Sequence, residues 1–125
     1  MGKKIKIKAK DLVIEAELNE SKTSALIMKI LPIESDVNTW GDEVYFTIPV
    51  TADLDETAKE FVEVGDLGYW PTGKAFCIFF GPTPITRGGK IKPASSVNIV
   101  GKVIGDAKVF KKLKDGDEIR IERCD

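Results

Sequence analysis

Residues 62–84 read VEVGDLGYWPTGKAFCIFFGPTP, and this stretch decides the fold. Gly65-Asp66 and Pro71-Thr72-Gly73-Lys74 carry turn chemistry, because glycine reaches positive φ freely and proline presets the first turn position. Between and after these turns, residues 67–70 and 75–80 read as strands. The second run, Ala75-Phe76-Cys77-Ile78-Phe79-Phe80, is apolar throughout. It is too short for a free-standing helix, and its flanking Gly and Pro select a buried strand. The first run ends in Tyr69-Trp70-Pro71, two amphipathic rings beside a rigid corner. Loops held on a stiff β scaffold are where binding residues concentrate.

Upstream of this stretch, Lys4-Ile5-Lys6-Ile7-Lys8-Ala9 alternates strictly, and so do residues 12–18, with Leu12, Ile14, Ala16 and Leu18 on one face. Lys10-Asp11 between them predicts a hairpin. The lysines of one strand and Glu15 and Glu17 of the other are expected to face each other. Residues 21–31 read as a helix, with Asn19 or Ser21 as cap, Leu26, Ile27, Ile30 and Leu31 at helical spacing, and Pro32 as stop. Residues 33–38 and 43–50 are further strands around Trp40-Gly41-Asp42, and residues 51–60 read as a polar loop or short helical turn.

Downstream, Arg87-Gly88-Gly89-Lys90 marks a flexible loop and residues 97–104 a strand. Residues 106–113 read as a short helix capped by Asp106, with Val109, Phe110 and Leu113 facing inward; residues 118–122 are a last strand. About eight strands and two amphipathic helices in 125 residues predict one domain over 1–125, mainly β, a closed barrel with two short capping helices.

Composition narrows the function classes. A formal net charge of −1 argues against binding nucleic acid by phosphate neutralisation. The chain has no histidine, which removes imidazole catalysis, His-ligated metal sites and Ser-His triads. Cys77 and Cys124 form neither a metal motif nor a disulfide framework. Cys77 reads as a small core residue and Cys124 as exposed. Few Met and Cys residues and abundant Lys and Glu match the composition of proteins from hot environments. No apolar segment reaches signal-peptide or transmembrane length, so a cytoplasmic location without membrane contact is the expectation.

Two sets of side chains suggest a site. Trp40, Tyr69, Trp70 and Phe80 supply aromatic surface for a groove that takes a peptide or small apolar ligand; the plain alternative is that they are barrel core. Asn38, Ser95, Ser96 and Asn98 supply neutral hydrogen-bonding groups, or cap local turns. Asp42, Glu43 and Asp66 are acids near glycines, open to acid–base work or to turn formation. Arg87 could grip an anion, although no strand-to-helix turn of the phosphate-binding kind precedes it. No catalytic set, metal set or cofactor motif emerges.

Val97-Asn98-Ile99-Val100-Gly101-Lys102-Val103, followed by Ile104-Gly105-Asp106-Ala107-Lys108-Val109-Phe110-Lys111-Lys112-Leu113, resembles the strand, loop and closing helix of cyclophilins. The whole chain is similar to compact prokaryotic cyclophilin-like proteins of uncharacterised function. The resemblance rests on Asn38-Thr39-Trp40-Gly41-Asp42-Glu43, Gly65-Asp66, Tyr69-Trp70-Pro71, Gly73-Lys74-Ala75, Phe79-Phe80-Gly81, Thr83-Pro84 and Pro93-Ala94-Ser95. It implies a closed cyclophilin-like eight-stranded β-barrel with a groove on one wall. Isomerase activity does not carry over. Residues 33–46, where cyclophilins place their catalytic arginine, contain none, and residues 91–96 lack the tryptophan and histidine of the proline pocket. A rotamase needs a preorganised donor on the twisted amide, and Arg87 is the sole nearby substitute. The expectation is therefore a non-catalytic binding domain for a peptide or small molecule. The alternatives are a prolyl-isomerase-like enzyme or a structural module, including a homodimer formed through a strand edge or apolar patch.

Overall fold

The computed structural model describes residues 2–124. The chain runs β1 (Lys3–Ala9), β2 (Leu12–Leu18), α1 (Lys22–Ile30), β3 (Ile33–Asp36), β4 (Asn38–Thr39), β5 (Glu43–Thr47), β6 (Ala58–Lys59), β7 (Asp66–Trp70), β8 (Ala75–Phe79), β9 (Val97–Val103) and β10 (Glu118–Arg123). A 3₁₀ turn at Pro71–Gly73 separates β7 from β8, and a 3₁₀ helix at Ala107–Lys112 precedes β10.

Nine of these strands form one antiparallel path, β3-β10-β1-β2-β9-β7-β8-β5-β4, with β6 pairing to β9 from the side. The two ends of the path, β3 and β4, are separated in sequence by Val37 alone. Val37 bridges them by donating to Asp117 O at 2.9 Å and accepting from Gly116 N at 2.9 Å. One segment thus pairs with β10 on one side and β5 on the other, and the sheet nearly closes into a barrel. The predicted strand 33–38 is this segment, and the barrel has eight staves when its two halves are counted as one.

Local chemistry explains most elements. Ser21 caps α1, its hydroxyl accepting from Ser24 N at 3.2 Å, as the N-cap rule requires. Asp106 caps the second helix through Lys108 N at 3.0 Å. With only six residues that segment winds as 3₁₀, the form favoured in short pieces. Leu26, expected on the buried face of α1, is 38% exposed, while Ile27 and Leu31 are buried. In the first hairpin Lys4 lies opposite Glu17 and Lys6 opposite Glu15. Lys8 instead pairs with Glu122 of β10 at 2.8 Å. β5 ends at Thr47, two residues short of Pro49, which has no amide to continue a ladder. Residues 51–60 are mostly irregular, apart from the short β6.

Strand β8 is buried at every position. Its even residues, Phe76 and Ile78, join the main core inside the barrel with Ile5, Ile7, Phe46, Leu67, Tyr69 and Phe110. Its odd residues, Ala75, Cys77 and Phe79, join a second cluster with Val62, Ile91 and Val97, against which Tyr45, Trp70 and Ile99 pack. Because strand side chains alternate between faces, this second cluster covers the outer wall made by β5, β8, β7 and β9. Among the described residues no helix is long and apolar enough to cross a membrane.

Candidate functional site

A pocket of about 270 Å³ opens on that outer wall, lined by Trp40, Glu43, Tyr45, Trp70, Pro93, Ala94 and Val97. Its position follows from strand register. Glu43 and Tyr45 are outward residues of β5, paired with Phe79 and Cys77 of β8. Trp70 is the last outward residue of β7, paired with Ala75.

Trp40 is held by the turn that joins β4 to β5. Its amide donates to Glu43 O at 2.9 Å, leaving Gly41-Asp42 as a two-residue loop. Gly41 has φ +60°, as a II′ hairpin turn requires at its first position. A Cβ there would lie 2.8 Å from Pro84 Cδ and 2.9 Å from Pro82 O, so only glycine permits the turn to pack on residues 82–84. Asp42 N donates to Pro82 O, and Phe80 N to Asp42 O, both at 2.9 Å.

Trp70 is fixed from three sides. Its indole Nε1 donates to Ser95 Oγ at 2.6 Å. Tyr45 meets its ring nearly perpendicular, with centroids 6.3 Å apart, a favourable edge-on geometry. Gly73 lies against the ring, where an added Cβ would come within 2.8 Å of Cε3 and Cζ3. The opposite lip is anchored as well: Val62 N donates to Ile91 O at 2.9 Å, and Lys92 N to Thr86 Oγ1 at 3.2 Å.

Glu43 is the pocket's one charged lining residue. It is only 5% exposed. Burial pushes its carboxyl up from 4.5 to about 7, opposed by a hydrogen bond with the Cys77 thiol. Removing a carboxylate from water disfavours the charged form. Cys77 is itself buried and free. Burial first, and Glu43 second, push its thiol well above its ordinary value, so it is an inert core thiol. Cys124, expected to be exposed, is half-buried.

The structure brings together some of the sequence-predicted residues and separates others. Trp40 and Trp70 line the pocket, and Ser95 holds Trp70. Asn38 is exposed beside it and donates to Tyr45 O at 3.5 Å. Tyr69 does not share the pocket with Trp70. It is 0% exposed and its hydroxyl donates to Val50 O at 2.5 Å inside the barrel, because adjacent strand residues point to opposite faces. Phe80 is likewise core, against Phe110 at 6.3 Å. Asn98 is fully buried. It donates to Thr23 Oγ1 at 3.1 Å and Asp53 O at 2.9 Å and accepts from Asp55 N at 2.8 Å, tying α1 and the 51–55 loop to β9. Arg87 is exposed on the loop after the pocket wall, and Ser96 is half-buried.

Asp42 and Glu43 form no carboxylate pair. Asp42 turns away to Lys111 Nζ at 3.7 Å. Asp66 closes a turn, accepting from Glu63 N at 2.8 Å. Tyr45, Pro93, Ala94 and Val97 line the pocket without having been singled out from the sequence. For Tyr45 a signal existed, since strand alternation places it on the face of Glu43. Among the described residues no group of three or more acids, cysteines or histidines could hold a metal.

A family model described as cyclophilin-like matches residues 3–122. The chain belongs to the cyclophilin-like family. A solved structure with this fold is the solution structure of a hypothetical protein from Archaeoglobus fulgidus, 40% identical, with TM-score 0.83 over 98% of this chain and 95% of that one. No curated protein matches the chain. In this cyclophilin-like chain, residues 33–46 supply no arginine. They send a tryptophan, an acid and a tyrosine into the pocket instead. The lining contains no lysine or arginine, so it offers no cation to stabilise a twisted amide oxygen.

Proposed function

We propose that this protein is a non-catalytic binding domain whose outer-wall pocket holds a small molecule or a peptide side chain. The observation that carries this reading is the fixed aromatic frame: Trp70, tied to Ser95 and braced by Tyr45 and Gly73, lines with Trp40 a cavity that holds one buried acid. Binding sites are concave, mostly apolar, and carry a few placed polar groups. Preformed walls lower the ordering cost of association. At about 270 Å³ the cavity sits just under the usual range of roughly 300–1,000 Å³, which suits a compact head group. Glu43, a buried group with a shifted pKa lining a cleft, adds a second marker of a functional site. It has no nucleophile beside it, since the neighbouring thiol is held protonated.

The test is a two-dimensional NMR titration with aromatic, aliphatic and peptide fragments. Saturable shifts are expected for Trp40, Tyr45 and Trp70, including the Trp70 indole N–H. A library that moves none of these resonances would refute the reading.

A further inference from the structure

The pocket combines two features: three aromatic residues, and one buried carboxyl with no cationic residue among the lining. Elsewhere on the barrel several less buried acids meet cations. Glu122 meets Lys8 and Arg120, Glu34 meets Arg120, Asp66 and Glu63 meet Lys102, and Asp42 meets Lys111. Glu43 is more buried than any of these, and its one side-chain partner is a neutral thiol. A buried charge without a counter-ion is costly. A ligand that brings a cation removes that cost.

We propose that this pocket takes a methylated ammonium group, a quaternary or trimethylated amine, seated among Trp40, Tyr45 and Trp70 with the Glu43 carboxylate as its counter-ion. This inference rests on the binding reading above and names its ligand class. Aromatic faces carry negative quadrupole charge and attract cations, most strongly when the cation is desolvated. The methylation follows from the lining. A primary ammonium is a compact, strongly hydrated charge, and most of this lining is rings and aliphatic carbon that cannot replace its water. A trimethylated nitrogen has no N–H to satisfy, and its methyl groups suit walls made of Pro93, Ala94 and Val97. Anionic ligands meet the Glu43 carboxyl and are excluded.

The experiment compares choline with its neutral carbon isostere 3,3-dimethyl-1-butanol, by calorimetry and tryptophan fluorescence at pH 8. A short peptide amide containing trimethyl-lysine and the same peptide with unmodified lysine are run alongside. Choline is expected to bind about tenfold or more tightly than the isostere, and trimethyl-lysine more tightly than lysine. Glu43→Gln is expected to reduce the preference for choline severalfold, leaving the share that the rings supply, while retaining the isostere. A trimethyl-lysine peptide tighter than choline assigns the group to a peptide; the reverse order assigns it to a free metabolite, and either order supports the proposal. Equal binding of choline and the isostere overturns the cation assignment and leaves the aromatic pocket standing. Failure of both, together with failure of the fragment titration, removes the pocket reading as well. The wild-type comparison alone decides the matter if Glu43→Gln does not fold.

Discussion

Tyr69 and Trp70 are neighbours on one strand, and they have opposite fates. Tyr69 is sealed in the barrel interior with its hydroxyl on Val50 O. Trp70 stands half-buried on the outer wall with its indole N–H on Ser95. The same division runs along β8, where Phe76 and Ile78 fill the lumen while Cys77 and Phe79 underlie the pocket. A sheet that buries both faces has two interiors. The inner one fixes the fold, and the outer one leaves room for a cavity because a loop, residues 82–96, covers it instead of a second sheet.

The largest effects are expected from the residues that seal these two interiors. Tyr69→Ala and Phe79→Ala should each cost about 3–5 kcal/mol, the usual price of truncating a buried aromatic, read from the denaturant midpoint at unchanged slope. Tyr69→Phe isolates the hydroxyl. Losing one buried hydrogen bond should cost about 1 kcal/mol. A Tyr69→Ala loss below about 1 kcal/mol would dissolve the inner-versus-outer distinction.

Next comes Glu43, the one acid that lines the pocket. Its folded pKa, about 7, lies above its ordinary 4.5. Between these values the native state holds more protons than the unfolded chain, so stability falls as pH rises through that window. Below it both states are protonated and above it both are ionised, so the Glu43 contribution is flat at each end. Glu43→Gln should therefore be close to wild type at pH 4 and more stable at pH 8, by at most about 3 kcal/mol. Urea midpoints at several pH values check this. A variant that loses stability equally at both ends would show that the carboxyl serves as a structural hydrogen-bond partner.

Trp70→Ala should be milder for stability, with a midpoint shift less than half that of Phe79→Ala, because the ring is only half-buried. Binding should disappear in the same variant. Equal losses for Trp70→Ala and Phe79→Ala would make Trp70 a structural residue and leave Trp40, Tyr45 and Glu43 as the pocket.

The barrel was legible in the sequence because its signals are local. Alternation marked β1 and β2, Ser21 and Pro32 bounded α1, and the unbroken run 75–80 marked a strand buried on both sides. The pocket was only half legible. Trp40, Trp70 and Ser95 could be picked out by residue type, whereas Tyr69, Phe80 and Asn98 have the same chemistry and lie inside. Their separation depends on which face each strand position meets, and that is settled by pairing with β5, β8 and β9, far away in sequence. Alternation relates Tyr45 to Glu43 and sets Tyr69 apart from Trp70, but it does not say which face holds the cavity. Asn98 shows the limit clearly: its partners Thr23, Asp53 and Asp55 are more than forty residues distant.

The smallest effect is expected at Arg87, and its smallness is informative. Arg87 is the only arginine in the 82–96 loop, and thus the one residue there that could stand in for the missing isomerase arginine. It is exposed and absent from the pocket lining. An exposed loop side chain is not the preorganised donor that stabilises charge on a twisted amide. Arg87→Ala should change stability by less than about 0.5 kcal/mol and leave ligand affinity at the pocket unaltered. In a protease-coupled prolyl isomerisation assay, wild type and variant should both run at the uncatalysed rate. A wild-type rate above background that Arg87→Ala abolishes would move the active chemistry to the loop tip, and the outer wall would then be the floor of an enzyme site.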